Sequence, residues 1–258
     1  MNDDFLLRDK VAFITGGASG IGHAAALRFR RAGAKVVIAD LAAQLDSLDA
    51  SDWRLQPIDV SDSDSFQAAL QATRTELGVI DILVNNAGIN GDDGVPLVDC
   101  DDDLTRRLFE VNTLGVYFGL KYGARAMCDG GAIINTASLA ADYVFPGSGP
   151  YSATKAAVVS LTQMAAAELA GRKIRVNAVA PAFVKTPLAE NDIELFEKVG
   201  REWTHAERIA EADEVAAVIQ FLASDAASYV NGQVIRVDGG MACGMTSFAV
   251  DQLVKSMG

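Results

Sequence analysis

Cysteine and histidine are scarce in this chain: of 258 residues, three are Cys and two are His. Cys100, Cys128 and Cys243 are odd in number and widely spaced, which excludes a disulfide framework and leaves no CxxC pair for redox or zinc chemistry. His23 and His205 stand alone and read as surface or capping residues. Long apolar runs are missing as well. None approaches the ~18 to 20 residues that a membrane span needs, and the opening MNDDFLLRDK lacks the apolar core of a secretory signal. Cytoplasmic, with reduced thiols, is the expected setting. Positive charge is in deficit: 22 Lys and Arg stand against 34 Asp and Glu, a net charge of −12 that disfavours nucleic acid or an anionic membrane as partner. A small-molecule partner is the expectation.

What is present is apolar and periodic. Half of the residues are hydrophobic, enough for a sizeable core. Short β-branched runs recur: KVAFIT (10–15), KVVIAD (35–40), RLQPIDV (54–60), DILVNN (81–86), GAIINTAS (131–138), IRVNAVAP (174–181) and GQVIRVDGG (232–240). Being apolar throughout, they suit strands buried on both faces of a parallel sheet. Helical patterns fall between them, near 20–32, 63–77, 102–128, 151–171 and 211–223. Alternating β and α predicts a single-domain doubly wound (Rossmann) α/β fold, a seven-stranded parallel sheet flanked by helices, over residues 1–258. Two stretches, 140–150 and 183–210, are too polar or too broken for the core. The second is expected to be a lid, and 241–258 a C-terminal tail.

The first predicted strand runs into TGGASGIGHAAA. Gly16, Gly20 and Gly22 fall at the strand-to-helix turn, where missing side chains let the backbone approach a pyrophosphate at a helix N-terminus. Gly17 to Gly22 also has the spacing of a nucleoside-triphosphate P-loop, but His23 stands where that motif needs lysine. Asp40 ends the second strand, where a dinucleotide fold places the carboxylate that bonds a ribose 2′-hydroxyl. The same group repels a 2′-phosphate, and neither Ser19 nor Leu41 brings a compensating cation, so NAD(H) is expected over NADP(H).

A second constellation is Asn112, Ser138, Tyr151 and Lys155. Ser138 closes a predicted strand at the edge where ligands bind in such sheets, and Tyr151 and Lys155 open the next helix, one turn apart on one face. A phenol, with a reference pKa near ~10, is a poor base at neutral pH; a cation within ~4–6 Å lowers an acid's pKa by roughly 1–3 units. Lys155 is placed to be that cation.

With these residues in hand, the chain resembles the short-chain dehydrogenase/reductases, through TGGASGIG (15–22), DV (59–60), NNAG (85–88), Asn112, Ser138, YSATK (151–155), RVNAVAP (175–181) and NGQVIRVDGG (231–240). The resemblance implies Tyr151 as general acid/base. Lys155 lowers its pKa and holds the nicotinamide ribose, Ser138 bonds the substrate oxygen, and Asn112 holds a water of a proton relay. It further implies cofactor contacts at Ser19, Ile21 and Leu41, at Asp59 and Val60 near the adenine, and at Asn86, Ala87 and Gly88 beside the ribose. Pro181, Val184 and Thr186 would meet the nicotinamide. A homotetramer, formed through the helices near 102–128 and 151–171 and the last strand, follows from the same resemblance. Two departures stand out: Ala182 replaces a common glycine after Pro181, and the segment from Asp40 to Asp59 has room for little more than a turn where relatives often carry a helix.

The expected reaction is NAD(H)-dependent interconversion of a secondary alcohol and a ketone. Val144, Phe145, Phe183, Leu188 and Trp203 hint at a moderately apolar substrate. The alternatives are a reductase of 3-oxoacyl groups on a carrier protein and a non-catalytic NAD-binding protein. Asp99, Asp101, Asp103 and Glu110 match calcium-loop positions, but Leu104 stands where the loop needs glycine and Arg107 is a cation in a cation site. No metal is expected.

Overall fold

The computed structural model describes residues 3–51, 53–91 and 94–257. Its strands are β1 (Val11–Thr15), β2 (Lys35–Asp40), β3 (Arg54–Pro57), β4 (Ile80–Asn85), β5 (Met127–Thr136), β6 (Arg175–Pro181) and β7 (Val234–Val237). All seven pair in parallel in the order β3-β2-β1-β4-β5-β6-β7. The chain turns from one half of the sheet to the other between β1 and β4, and the carboxyl ends of the strands open there.

Successive residues of a strand face opposite sides, so the sheet feeds two cores. Phe13, Leu83, Ile133 and Val176 pack on one side with Phe66, Val111 and Val158, which belong to α2 (Ser63–Leu77), α3 (102–126) and α4 (Gly149–Glu168). Ile14, Val84, Ile134 and Val179 pack on the other side with Phe29 and Ile219, from α1 (Gly20–Arg31) and a later helix, Ala212–Ala223. Helix starts are marked locally. Asp62 accepts from the amide of Asp64, and Asp101 from that of Leu104, each supplying an acceptor to a helix amide that has none within the helix. Asp101 and its neighbours thus begin a helix, and Asp103 pairs with Arg106.

Helix α3 departs from a regular spiral, with π-type turns at Phe109–Leu114 and Gly119–Gly123. Gly119 lies so close to the sheet that a Cβ there would meet Asn85 Oδ1 at 2.0 Å.

The fold corrects the expected irregularity of 183–210. Val184–Lys185 pairs in parallel with Ala210–Glu211, and between them lies α5 (Ile193–Trp203). The helix at Ala212–Ala223 is then α6, opened by a reciprocal capping box between Glu211 and Glu214. The tail also folds: α7 (Ser247–Ser256) is capped by Thr246, whose hydroxyl also donates to the carbonyl of Glu202 in α5. The short segment after Asp40 holds a four-residue helical turn, Ala42–Leu45. Leu48 and Trp53 pack on the core there, and the Trp53 ring lies under the Arg30 guanidinium at 4.1 Å.

Candidate active site

The glycine-rich turn leaves β1 with Gly16 at φ +63° and Gly20 at φ +54°, left-handed conformations that favour glycine. Gly22 is required by space: a Cβ there would sit 2.1 Å from the Gly16 carbonyl oxygen and 2.6 Å from Asn86 Nδ2. Asn86 closes the turn from the other side, its amide donating to the carbonyls of Thr15 and Gly16. Thr15, beneath, donates its hydroxyl to the Val84 carbonyl and accepts from the amides of Asn86 and Ala87. The N-terminal amides of α1 thus stand at a turn whose glycines bring no side chains of their own, suited to the approach of a pyrophosphate.

Asp40 stands beside this turn. One carboxylate oxygen accepts from the amide of Ala18, at 3.0 Å, and the other from that of Leu41, at 2.9 Å. Each oxygen keeps a second lone pair for a ribose hydroxyl. Asp59 is bound differently. Burial opposes its charge, yet the hydrogen bonds from the Ser61 amide and hydroxyl, with Arg107 at 3.8 Å, outweigh this and lower its pKa. Val60 is buried under Gly115, so Asp59 and Val60 form a tied corner at the end of β3.

Lys155 is 4% exposed, and its ammonium donates to the Thr136 carbonyl at 3.0 Å while standing 5.7 Å from the centre of the Tyr151 ring. Burial lowers its pKa to about 8. Gly88 passes over it, and a Cβ there would lie 3.4 Å from Lys155 Nζ and 3.1 Å from Asn112 Oδ1. Ser138 follows β5, and its Oγ accepts from the amide of Ala140 at 3.2 Å. That bond leaves the hydroxyl proton available to a substrate oxygen.

Asn112, fully buried in the π-type turn, serves a purpose that sequence alone does not give. Its Oδ1 accepts from the Ile89 amide at 2.8 Å, and its Nδ2 donates to the Ile89 carbonyl at 2.9 Å and to Thr154 Oγ1 at 3.3 Å. The side chain clamps the loop after β4. Thr136 and Ile89, which meet Lys155 and Asn112 through main-chain groups, are neighbours of the candidate site that spacing misses, and Asn90 follows Ile89.

Of the expected substrate residues, two come together. Phe145 meets Phe183 edge-on at 5.8 Å between ring centres, and Phe183 meets Phe196 of α5 at 4.7 Å. Val144 is 83% exposed, and Leu188 and Trp203 are each about half exposed, so these three form no closed wall with the aromatic trio. Thr186 packs on the glycine-rich turn, where a Cβ on Gly20 would lie 3.3 Å from its side chain, and Val184 is buried beside it.

A seven-stranded parallel sheet with a glycine-rich turn at its switch point, and with Ser138, Tyr151 and Lys155 after the carboxyl end of β5, has the architecture of the dinucleotide-binding α/β class. Residues 5–242 match the family described as Enoyl-(Acyl carrier protein) reductase. The chain is 40% identical over 244 residues to the 3-oxoacyl-[acyl-carrier-protein] reductase FabG of Thermotoga maritima, covering 91% of this chain and 98% of that one. It is 37% identical over 246 residues to a mitochondrial borneol dehydrogenase of Lavandula x intermedia, covering 92% of each. Among solved structures, a short-chain type dehydrogenase/reductase from Mycobacterium marinum superposes with a TM-score of 0.85 at 35% identity, covering 94% of this chain and 99% of that one. The chain belongs to the short-chain dehydrogenase/reductase family.

Proposed function

We propose that this protein interconverts a secondary alcohol and a ketone with NAD(H) as redox partner. The observation that carries the reading is the buried Lys155 ammonium beside the Tyr151 ring, at the edge of the sheet that also bears the glycine-rich turn. When bound, the nicotinamide supplies the acceptor or donor of the hydride. The chain's own residues manage position and the proton. Tyr151, as phenolate, takes the hydroxyl proton of an alcohol, and as phenol returns it to a ketone oxygen. Lys155 stabilises the phenolate by its charge, since an opposite charge within ~4–6 Å favours the ionised form. Ser138 donates its hydroxyl to the substrate oxygen. Asn112, by gripping Ile89, fixes the loop that roofs Lys155.

Asp40 supports NAD(H) over NADP(H), because its carboxylate stands where a 2′-phosphate would bring like charge. The Phe145, Phe183 and Phe196 trio supports a moderately apolar substrate. Likeness to the borneol dehydrogenase favours the same reading. Phe109, Leu114, Tyr117 and Met164 are large apolar side chains left exposed on α3 and α4, which supports assembly through these helices into a tetramer. Light scattering checks that state. The catalytic reading is tested by following absorbance at 340 nm with NAD+ and a panel of cyclic and acyclic secondary alcohols. Turnover with NADP+ alone, or none with any alcohol or ketone, would overturn it.

Reduction of a 3-oxoacyl group on a carrier protein is the second reading, favoured by the Thermotoga maritima relative. Comparing turnover of a free ketone with that of a 3-oxoacyl-carrier thioester decides between them.

A further inference from the structure

We propose that Asn90 is a latch that holds the lid closed across the dinucleotide site and sets the rate at which cofactor leaves. The inference rests on the nicotinamide dinucleotide reading of the glycine-rich turn. The lid is the segment 186–209, which springs from the two-residue pair of Val184–Lys185 with Ala210–Glu211. Its returning end is tied firmly. Arg208 holds Glu214 through two hydrogen bonds of 2.7 Å each, and Thr204 donates its hydroxyl to the Gly200 carbonyl within the lid itself.

The leading end has a different attachment. Thr186 packs on Gly20, Ala189 is buried, and between them the Asn90 side-chain amide donates to the Leu188 carbonyl at 3.2 Å. The two partners are unlike in mounting. Asn90 follows Ile89, whose amide and carbonyl are both gripped by the buried Asn112, so it stands on a fixed post. Leu188 lies in a turn whose own internal bond runs from the Ala189 amide to the Thr186 carbonyl. Thr186 of this end packs on Gly20, so a dinucleotide seated on the glycine-rich turn would lie beside it, and lifting this end to release the cofactor would break the Asn90 bond. Lid opening of this kind limits turnover in many enzymes. Asn90 is therefore a positioning residue: it acts on the cofactor through the lid and not on the reacting atoms.

One neutral hydrogen bond shifts a closing equilibrium about threefold to tenfold. The test is a stopped-flow chase: the protein is loaded with NADH, excess NAD+ is added, and the decay of NADH fluorescence gives the dissociation rate. Asn90→Asp keeps the shape but turns the donor into an acceptor facing a carbonyl; Asn90→Ala removes the contact; Asn90→Gln keeps a donor. NADH release about threefold to tenfold faster in the Asp and Ala variants, faster proteolytic cutting within 186–209 in the NADH complex, an unchanged thermal midpoint and partial recovery in Asn90→Gln support the latch. Release within twofold of wild type in both Asp and Ala variants overturns it, as does faster release accompanied by equal loss in Asn90→Gln. If wild type binds NADPH and not NADH, the cofactor preference is wrong while the same chase with NADPH still tests the latch. If it binds neither, both readings fall.

Discussion

Asn112 grips both main-chain polar groups of Ile89, accepting from its amide at 2.8 Å and donating to its carbonyl at 2.9 Å, from a position with no solvent exposure. Truncating it leaves two backbone groups without partners, each costing about 1–3 kcal/mol when buried. Asn112→Ala is expected to lower unfolding free energy by about 2–6 kcal/mol and to reduce turnover. Urea denaturation measures the first; a loss below about 0.5 kcal/mol, the range of ordinary surface substitutions, would contradict the clamp.

Gly22 has no room for a methyl group, since its Cβ would stand 2.1 Å from the Gly16 carbonyl oxygen. Gly22→Ala forces the turn open. Dinucleotide affinity is expected to fall at least tenfold, about 1.4 kcal/mol, and titration of intrinsic fluorescence with NADH reads the change. Wild-type affinity in a folded variant would show that the turn does not form the cofactor site.

Asp40 accepts from the amides of Ala18 and Leu41, and in the proposed function it bonds the cofactor ribose. Asp40→Ala removes the carboxylate from a 2′-phosphate and an acceptor from a 2′-hydroxyl. The ratio of kcat/KM for NADP+ to that for NAD+ should rise by at least tenfold, about 1.4 kcal/mol in relative binding. An unchanged ratio would remove Asp40 from cofactor choice.

Lys155, lowered by burial to about 8, binds its proton less tightly folded than unfolded, where a lysine titrates near ~10.4. Between these values the unfolded chain carries more protons, so this group makes stability rise with pH, and below pH ~8 its burial is a net cost. Lys155→Met removes the effect. Melting temperatures of wild type and variant, compared from about pH 7 to pH 10, should diverge in favour of wild type as pH rises. Parallel curves would mean that the lysine is not buried as a cation.

The seven parallel strands and the Tyr151–Lys155 pair were legible because each follows from local patterning. Apolar runs such as VAFIT fix strands buried on both faces, and one helical turn fixes a shared face. The lid helix was not, because Pro187, Gly200 and a dense mixture of charges break its composition, and it forms by setting Gly200 against Ile209, where a Cβ would meet the amide at 2.7 Å. The contacts of Lys155 with Thr136, of Asn112 with Ile89 and of Asn90 with Leu188 were hidden for another reason. Each ends on a main-chain group, and a carbonyl or an amide looks the same at every position of a sequence.

The central claim is that Tyr151 moves the proton while the carbinol hydrogen goes to NAD+. Its most direct test uses a secondary alcohol deuterated at the carbinol carbon, with mass spectrometry of the reduced cofactor from wild type and from Tyr151→Phe. The account predicts deuterium on the NADH of wild type, with the variant binding NADH within about threefold of wild type yet turning over ~10²–10⁴-fold more slowly. Reduced cofactor without the label, or a variant within tenfold of wild-type turnover, would contradict it.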